Sequence, residues 1–188
     1  IEKSGFVALV GRPNVGKSTL LNHLLGEKVS IVTPKAQTTR HSIQGIWTLD
    51  GGQIVLVDTP GMPRGKTALH RLMRRRAGAA ATQADVAVVM VEIRGPKAHV
   101  TSEDKQLVDA ARQSGVPLII LLNKIDRVKA KEELLPWIQV YSETLDVATV
   151  VPVSAKTGDG LDGFGAMLLE HLPEGGPLFP VDLHTDQA

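Results

Sequence analysis

The eight residues Gly11-Arg12-Pro13-Asn14-Val15-Gly16-Lys17-Ser18 follow the order G-x-x-x-x-G-K-S, between an apolar run and a segment of helical periodicity. That order suits the binding of a polyphosphate. Glycine lets the backbone curl until its N–H groups point inward, and the N-terminus of the following helix adds positive potential. Lys17 is placed to reach β- and γ-phosphate oxygens, and the Ser18 hydroxyl to bind Mg²⁺. Thr19 completes the stretch.

Such loops serve adenine and guanine nucleotides alike, so the base must be read elsewhere. Asn123-Lys124-Ile125-Asp126 follows the apolar run Leu118–Leu122, at the carboxyl end of an expected strand. One edge of guanine offers two donors, N1–H and the N2 amino group. The Asp126 carboxylate only accepts and can take both, whereas adenine would set a lone pair against it. Asn123 is expected to brace neighbouring loops and accept from the base, with the Lys124 stem over the purine plane. Ser154-Ala155-Lys156 follows the last apolar run, and its amides, chiefly that of Ala155, are expected to donate to guanine O6.

Two further segments complete the candidate site. Asp58-Thr59-Pro60-Gly61 closes another expected strand. Asp58 suits a water-mediated contact to Mg²⁺, which keeps several waters and takes few carboxylates. The Gly61 amide can meet a γ-phosphate because no side chain obstructs it. In the polar stretch Lys35–His41 one threonine hydroxyl could close over Mg²⁺; Thr39 is preferred to Thr38, a choice that periodicity does not settle. Metal contacts are thus expected from Ser18, Thr39 and Asp58, and catalytic contributions from Lys17, Thr39 and Gly61. In-line attack of water on the γ-phosphorus would rest on positioning and charge stabilisation.

These residues need a scaffold, and the alternation of short apolar runs with helical patterns supplies one. Phe6–Val10, Ile54–Asp58, Val86–Glu92, Val116–Asn123 and Val147–Val153 read as buried strands. Helical stretches fall at Lys17–Leu25, Thr67–Thr82, Ser102–Ser114, Lys131–Thr144 and Leu161–Leu172. A further strand, Ser42–Leu49, would join Gln53–Asp58 through the Asp50-Gly51-Gly52 turn as an antiparallel edge. The expected fold is α/β: a doubly wound, six-stranded, mostly parallel sheet with helices on both faces. Glu27–His41 and Pro60–Lys66 resist assignment and read as loops. Residues 1–172 form the expected domain. From Pro173 to Ala188 the chain reads as a linker, with nothing for Phe179 onward to fold against.

The 188 residues allow one domain with a real core. A net charge of +1 gives no global pull towards nucleic acid or acidic membrane, and no DNA partner is expected. With no cysteine there is no disulfide framework, thiolate metal site or cysteine nucleophile. No apolar run reaches the ~20 residues of a membrane span. Ile1 is not an initiator methionine, so the chain is read as a fragment. Low aromatic content argues against a base-stacking RNA surface. The basic His70–Arg76 stretch reads as a solvated helix face, Glu103-Asp104 as acids favoured at a helix start, and Trp47 and Trp137 as packing residues.

Taken in order, Gly11–Thr19, Gln37-Thr38-Thr39-Arg40-His41, Asp58–Gly61, Asn123–Asp126 and Ser154–Lys156 resemble the pattern of the Era family of GTPases. Lys28–Ile31, Lys35-Ala36-Gln37 and the tail from Leu172 to Asp186 are similar to that family too, so the likeness spans nearly the whole chain. It implies a GTP/GDP and Mg²⁺ site, and a switch acting in small ribosomal subunit assembly. A C-terminal KH-type domain, absent here, would grip the small-subunit rRNA. It also implies a cytoplasmic protein with peripheral membrane contact. Met62 stands where small signalling GTPases carry a water-orienting glutamine, a task a thioether cannot perform. Slow hydrolysis is therefore expected, with K⁺ held partly by Asn14, as some related families do. Two alternatives stay open: a nucleotide-gated binding module with negligible hydrolysis, and the GTPase domain of a sibling ribosome or tRNA-modification family.

Overall fold

The computed structural model describes residues 1–25, 29–30, 43–58 and 84–180. Its strands are β1 (Lys3–Gly11), β2 (Val29–Ser30), β3 (Ile43–Leu49), β4 (Gly52–Val57), β5 (Val86–Glu92), β6 (Leu118–Asn123) and β7 (Thr149–Pro152). The helices are α1 (Lys17–Leu25), α2 (Ser102–Arg112), α3 (Leu134–Leu145) and α4 (Leu161–Glu170). One sheet runs in the order β2-β3-β4-β1-β5-β6-β7. From β4 to β7 every pairing is parallel, and β3 is antiparallel to both its neighbours. All six expected strands are present. The two-residue β2 joins the edge from within a stretch too polar to read as strand.

Period-two alternation explains why the sheet is covered on both faces. Along β5, Val86, Val88 and Met90 join the cluster that contains Leu20, Leu24, Phe164 and Leu168 of α1 and α4. Ala87, Val89 and Val91 join Val108, Trp137 and Tyr141 of α2 and α3. A third cluster gathers Phe6, Ala8, Ile43, Ile46, Val55, Val57 and Phe179. Trp47 and Trp137 are both buried, as their packing role requires.

The β3–β4 turn is the expected tight one. Leu49 pairs with Gly52, and Gly51 takes a φ of 99°. Gly52 must be glycine, since a Cβ there would lie 1.7 Å from the Lys3 carbonyl oxygen.

The tail corrects the sequence reading. Residues 173–180 do find partners. Ser4 N–H donates to the Pro173 carbonyl at 3.0 Å, and Gly175 N–H to that of Glu2 at 2.8 Å. The fully buried Gln53 accepts from the Leu178 and Phe179 amides at 2.9 and 3.0 Å and donates to the Phe179 carbonyl at 3.1 Å. One amide side chain on β4 thus satisfies three backbone groups of a segment without a ladder of its own. The Phe179 ring, 1% exposed, fills the third cluster.

Candidate nucleotide site

The order β4-β1-β5 reverses direction at β1, so the crevice beyond its carboxyl end is where open parallel sheets bind ligands. Gly11 closes β1 there and Lys17 opens α1. The intervening loop takes positive φ at Asn14 (72°) and Gly16 (110°), which turns successive amides towards a common centre. Val15 is buried and anchors the loop in the core beneath. At Gly16 a Cβ would lie 2.1 Å from Asn123 Nδ2, so glycine is required by both conformation and space. The cradle suits an anionic chain.

Asn123 ends β6 and is 2% exposed. Its Nδ2 donates to the Val15 carbonyl at 2.8 Å, and its Oδ1 accepts from the Ala155 amide at 2.8 Å. The bracing role is therefore visible in detail. In this structure the Ala155 N–H, the expected donor to guanine O6, is given to Asn123 Oδ1.

Lys124 adopts left-handed φ (72°), and Asp126 sits exposed on the short 3₁₀ helix Ile125–Arg127. Asp126 Oδ1 accepts from the buried Ser154 hydroxyl at 2.8 Å, which fixes the carboxylate's orientation. Ser154 Oγ in turn accepts from the Thr157 amide at 3.1 Å. Ser154 and Ala155 thereby join Asp126 and Asn123 in one hydrogen-bonded cluster.

Asp58 follows β4 and is partly buried. Burial raises its carboxyl above the ordinary range, while the charge of Lys17 and a backbone hydrogen bond pull it partway back. Ser18, in the first turn of α1, and Asp58 offer the hard oxygen donors Mg²⁺ takes. Thr38, Thr39, Thr59, Pro60, Gly61 and Met62 lie outside the described residues, as does the helix expected at 67–82.

Sequence reasoning missed the setting of Arg12. Its guanidinium turns back into the protein. Nε donates to Asp104 Oδ1 at 2.9 Å and one terminal nitrogen to Glu92 Oε2 at 3.4 Å. Burial alone would lower its pKa; the bond and charge of Asp104, with Glu92 and Glu103, outweigh that and raise it. Arg12 can offer its main chain to a phosphate, but its charge is already matched. Asp104, read from sequence as a helix-start acid, is fully buried, and its Oδ2 accepts from the Tyr141 hydroxyl at 2.7 Å. Burial, then that bond, push the Tyr141 phenol well up, which keeps it a neutral donor. Only the long separation of these residues in sequence hid the cluster.

A mostly parallel sheet with this loop at its topological switch point defines the P-loop nucleoside-triphosphatase class. Within that class, the chain belongs to the family described as 50S ribosome-binding GTPase, whose model matches residues 6–124. It is 45% identical to GTPase Era of Syntrophus aciditrophicus over 186 residues, 99% of this chain and 60% of that protein. It is 45% identical to GTPase Era of Pseudomonas entomophila, over 99% of this chain and 61% of that one. An Aquifex aeolicus Era bound to GDP and AlF4⁻ superposes with a TM-score of 0.70 at 38% identity, covering 99% of this chain and 62% of that one. An Era in complex with MgGDPNP and nucleotides 1506–1542 of 16S ribosomal RNA gives 0.71 at 38%, covering 100% and 63%. The Era resemblance carried by the motifs is borne out. The chain spans about 60% of the length of these curated relatives.

Proposed function

We propose that this chain is the nucleotide-switch portion of an Era-type protein, binding GTP and GDP with Mg²⁺ and hydrolysing GTP slowly. The observation that carries this reading is the hydrogen-bonded cluster centred on Asn123, which ties the phosphate loop at Val15 to Ala155 and, through the neighbouring Ser154, to Asp126. The loop amides of residues 12, 14, 15 and 16 and Lys17 would hold the phosphates, Ser18, Thr39 and Asp58 the metal, and Asp126 the guanine edge. Mg²⁺ would supply neutralisation of the phosphate charge. Water would attack the γ-phosphorus in line as its bond to the β–γ bridging oxygen breaks, giving GDP and inorganic phosphate, with Gly61 following the γ-phosphate. To donate to guanine O6, the Ala155 amide would exchange its Asn123 partner for the base. Other groups, with K⁺ near Asn14, would position the attacking water, the task that the Met62 thioether cannot perform.

In the longer protein this switch would act in small-subunit assembly, in the cytoplasm. The structural relative held on 16S rRNA supports that partner. The rRNA grip would come from a domain beyond the tail. No described helix is long and apolar enough to cross a membrane. Peripheral contact with the cytoplasmic face of the cell membrane is part of the proposal for the longer protein. Titration of the purified chain with GTP, GDP and ATP tests the core of this reading. Tight guanine and weak adenine binding is expected, and equal binding would refute it. Phosphate release in K⁺ against Na⁺ buffer then separates slow hydrolysis from a pure binding module, which would release none above blank.

A further inference from the structure

We infer that Glu92 and Asp104 are positioning residues that lock the phosphate loop and the base-recognition lysine into one frame, acting through Arg12 and Lys124. This rests on the nucleotide-site reading above.

The register of the sheet explains why Glu92 can do this. It ends β5, the strand between β1 and β6. Gly11 pairs with Met90 on one side, and Asn123 with Glu92 on the other. Glu92 therefore stands between the two strand ends that launch the phosphate loop and the base motif. Its two oxygens divide accordingly. Oε2 lies 3.4 Å from the Arg12 guanidinium, and Oε1 lies 2.6 Å from Lys124 Nζ. Lys124 Nζ also donates to the Asn14 carbonyl at 3.0 Å, which returns the chain of contacts to the phosphate loop.

Asp104 anchors the other side. Its carboxylate is fully buried, holds Arg12 Nε at 2.9 Å, and is itself fixed by Tyr141 and by Arg94 at 3.7 Å. The Thr101 hydroxyl caps α2 by accepting from the Asp104 amide at 3.0 Å, so the residue's main chain is held as well. Arg12 is needed as arginine because its planar fork meets two carboxylates at once, which a single ammonium does less well. The contacts join residues 80 and 92 positions apart, across three strands and a helix. A tether of this kind resists relative movement of two loops that must grip opposite ends of one ligand.

Release of N-methylanthraniloyl-GDP from the full chain tests this in a double-mutant cycle of Glu92→Gln and Arg12→Gln. Glu92→Gln should speed release about tenfold, shrinking to below about twofold in the Arg12→Gln background, because the two act as a unit. Asp104→Asn, which keeps size and one acceptor, should match the faster release. Unchanged release in Glu92→Gln, or additive effects in the cycle, would overturn the inference. Hydrogen exchange at the amides of residues 12, 14, 15 and 16 in nucleotide-free protein separates its failure from that of the nucleotide reading. If the parent binds no guanine nucleotide, faster exchange in Glu92→Gln with β5 unaltered still upholds the frame, and unchanged exchange removes it.

Discussion

Asp126 is oriented by the Ser154 hydroxyl, and in the proposed site its selectivity for guanine would come from being a pure acceptor. Exchanging it for asparagine places a donor where guanine also donates. Asp126→Asn should lower GTP affinity by ~10²-fold or more, since mismatched polar groups in such sites discriminate by up to ~10⁴-fold. The same amide faces O2 of xanthine favourably, so affinity for xanthosine nucleotides should rise; competition titration reads both. Unaltered GTP binding would displace Asp126 from the base pocket. Asn123→Ala has a different signature. It frees the Val15 carbonyl and the Ala155 amide at once, each bonded at 2.8 Å. Leaving buried groups unpaired costs ~1–3 kcal/mol apiece, so the melting temperature and nucleotide affinity should fall together. Both positions were legible from type and spacing. The partners were not: Asn123 meets residues 108 and 32 positions away, a pairing only the folded sheet creates.

At the scale of elements, the buried strands announced themselves as β-branched runs, and α1 was legible to the residue. The failures were segments whose order comes from outside themselves. Pro173–Pro180 carries linker composition, yet Gln53 and the third apolar cluster hold it in place. No periodicity betrays this, because the segment makes neither helix nor ladder and its anchor lies 126 residues upstream. Phe179→Ala should therefore destabilise the domain by ~3–5 kcal/mol, the usual cost of emptying an aromatic site. Urea unfolding measures it. A free linker predicts no change.

For the whole molecule, the class and the location of the site were readable because a phosphate loop followed by alternating strands and helices admits few topologies. The charge balance of the interior was not. Burial holds the Asp85 carboxyl above its ordinary value of 3.8, and the Phe6 N–H donating at 2.8 Å only partly offsets this. The folded chain thus binds that proton more tightly than the unfolded chain. The associated stability is full below 3.8 and is lost as pH rises through the higher folded-state value. Asp85→Asn keeps an acceptor for Phe6 and removes the charge. It should raise the melting temperature at neutral pH and flatten its decline above about pH 4. Thermal melts across pH decide; an unchanged profile would mean that Asp85 ionises without cost.

β1 begins at Lys3 and delivers its last residue, Gly11, to the phosphate cradle. At ~3.3 Å per residue, its nine residues set the two ends roughly 25 Å apart. An affinity tag or surface anchor fused ahead of the exposed Ile1 would therefore enter at the far rim of the sheet. Immobilised chain could be probed with labelled nucleotides without the tether shading the mouth of the pocket.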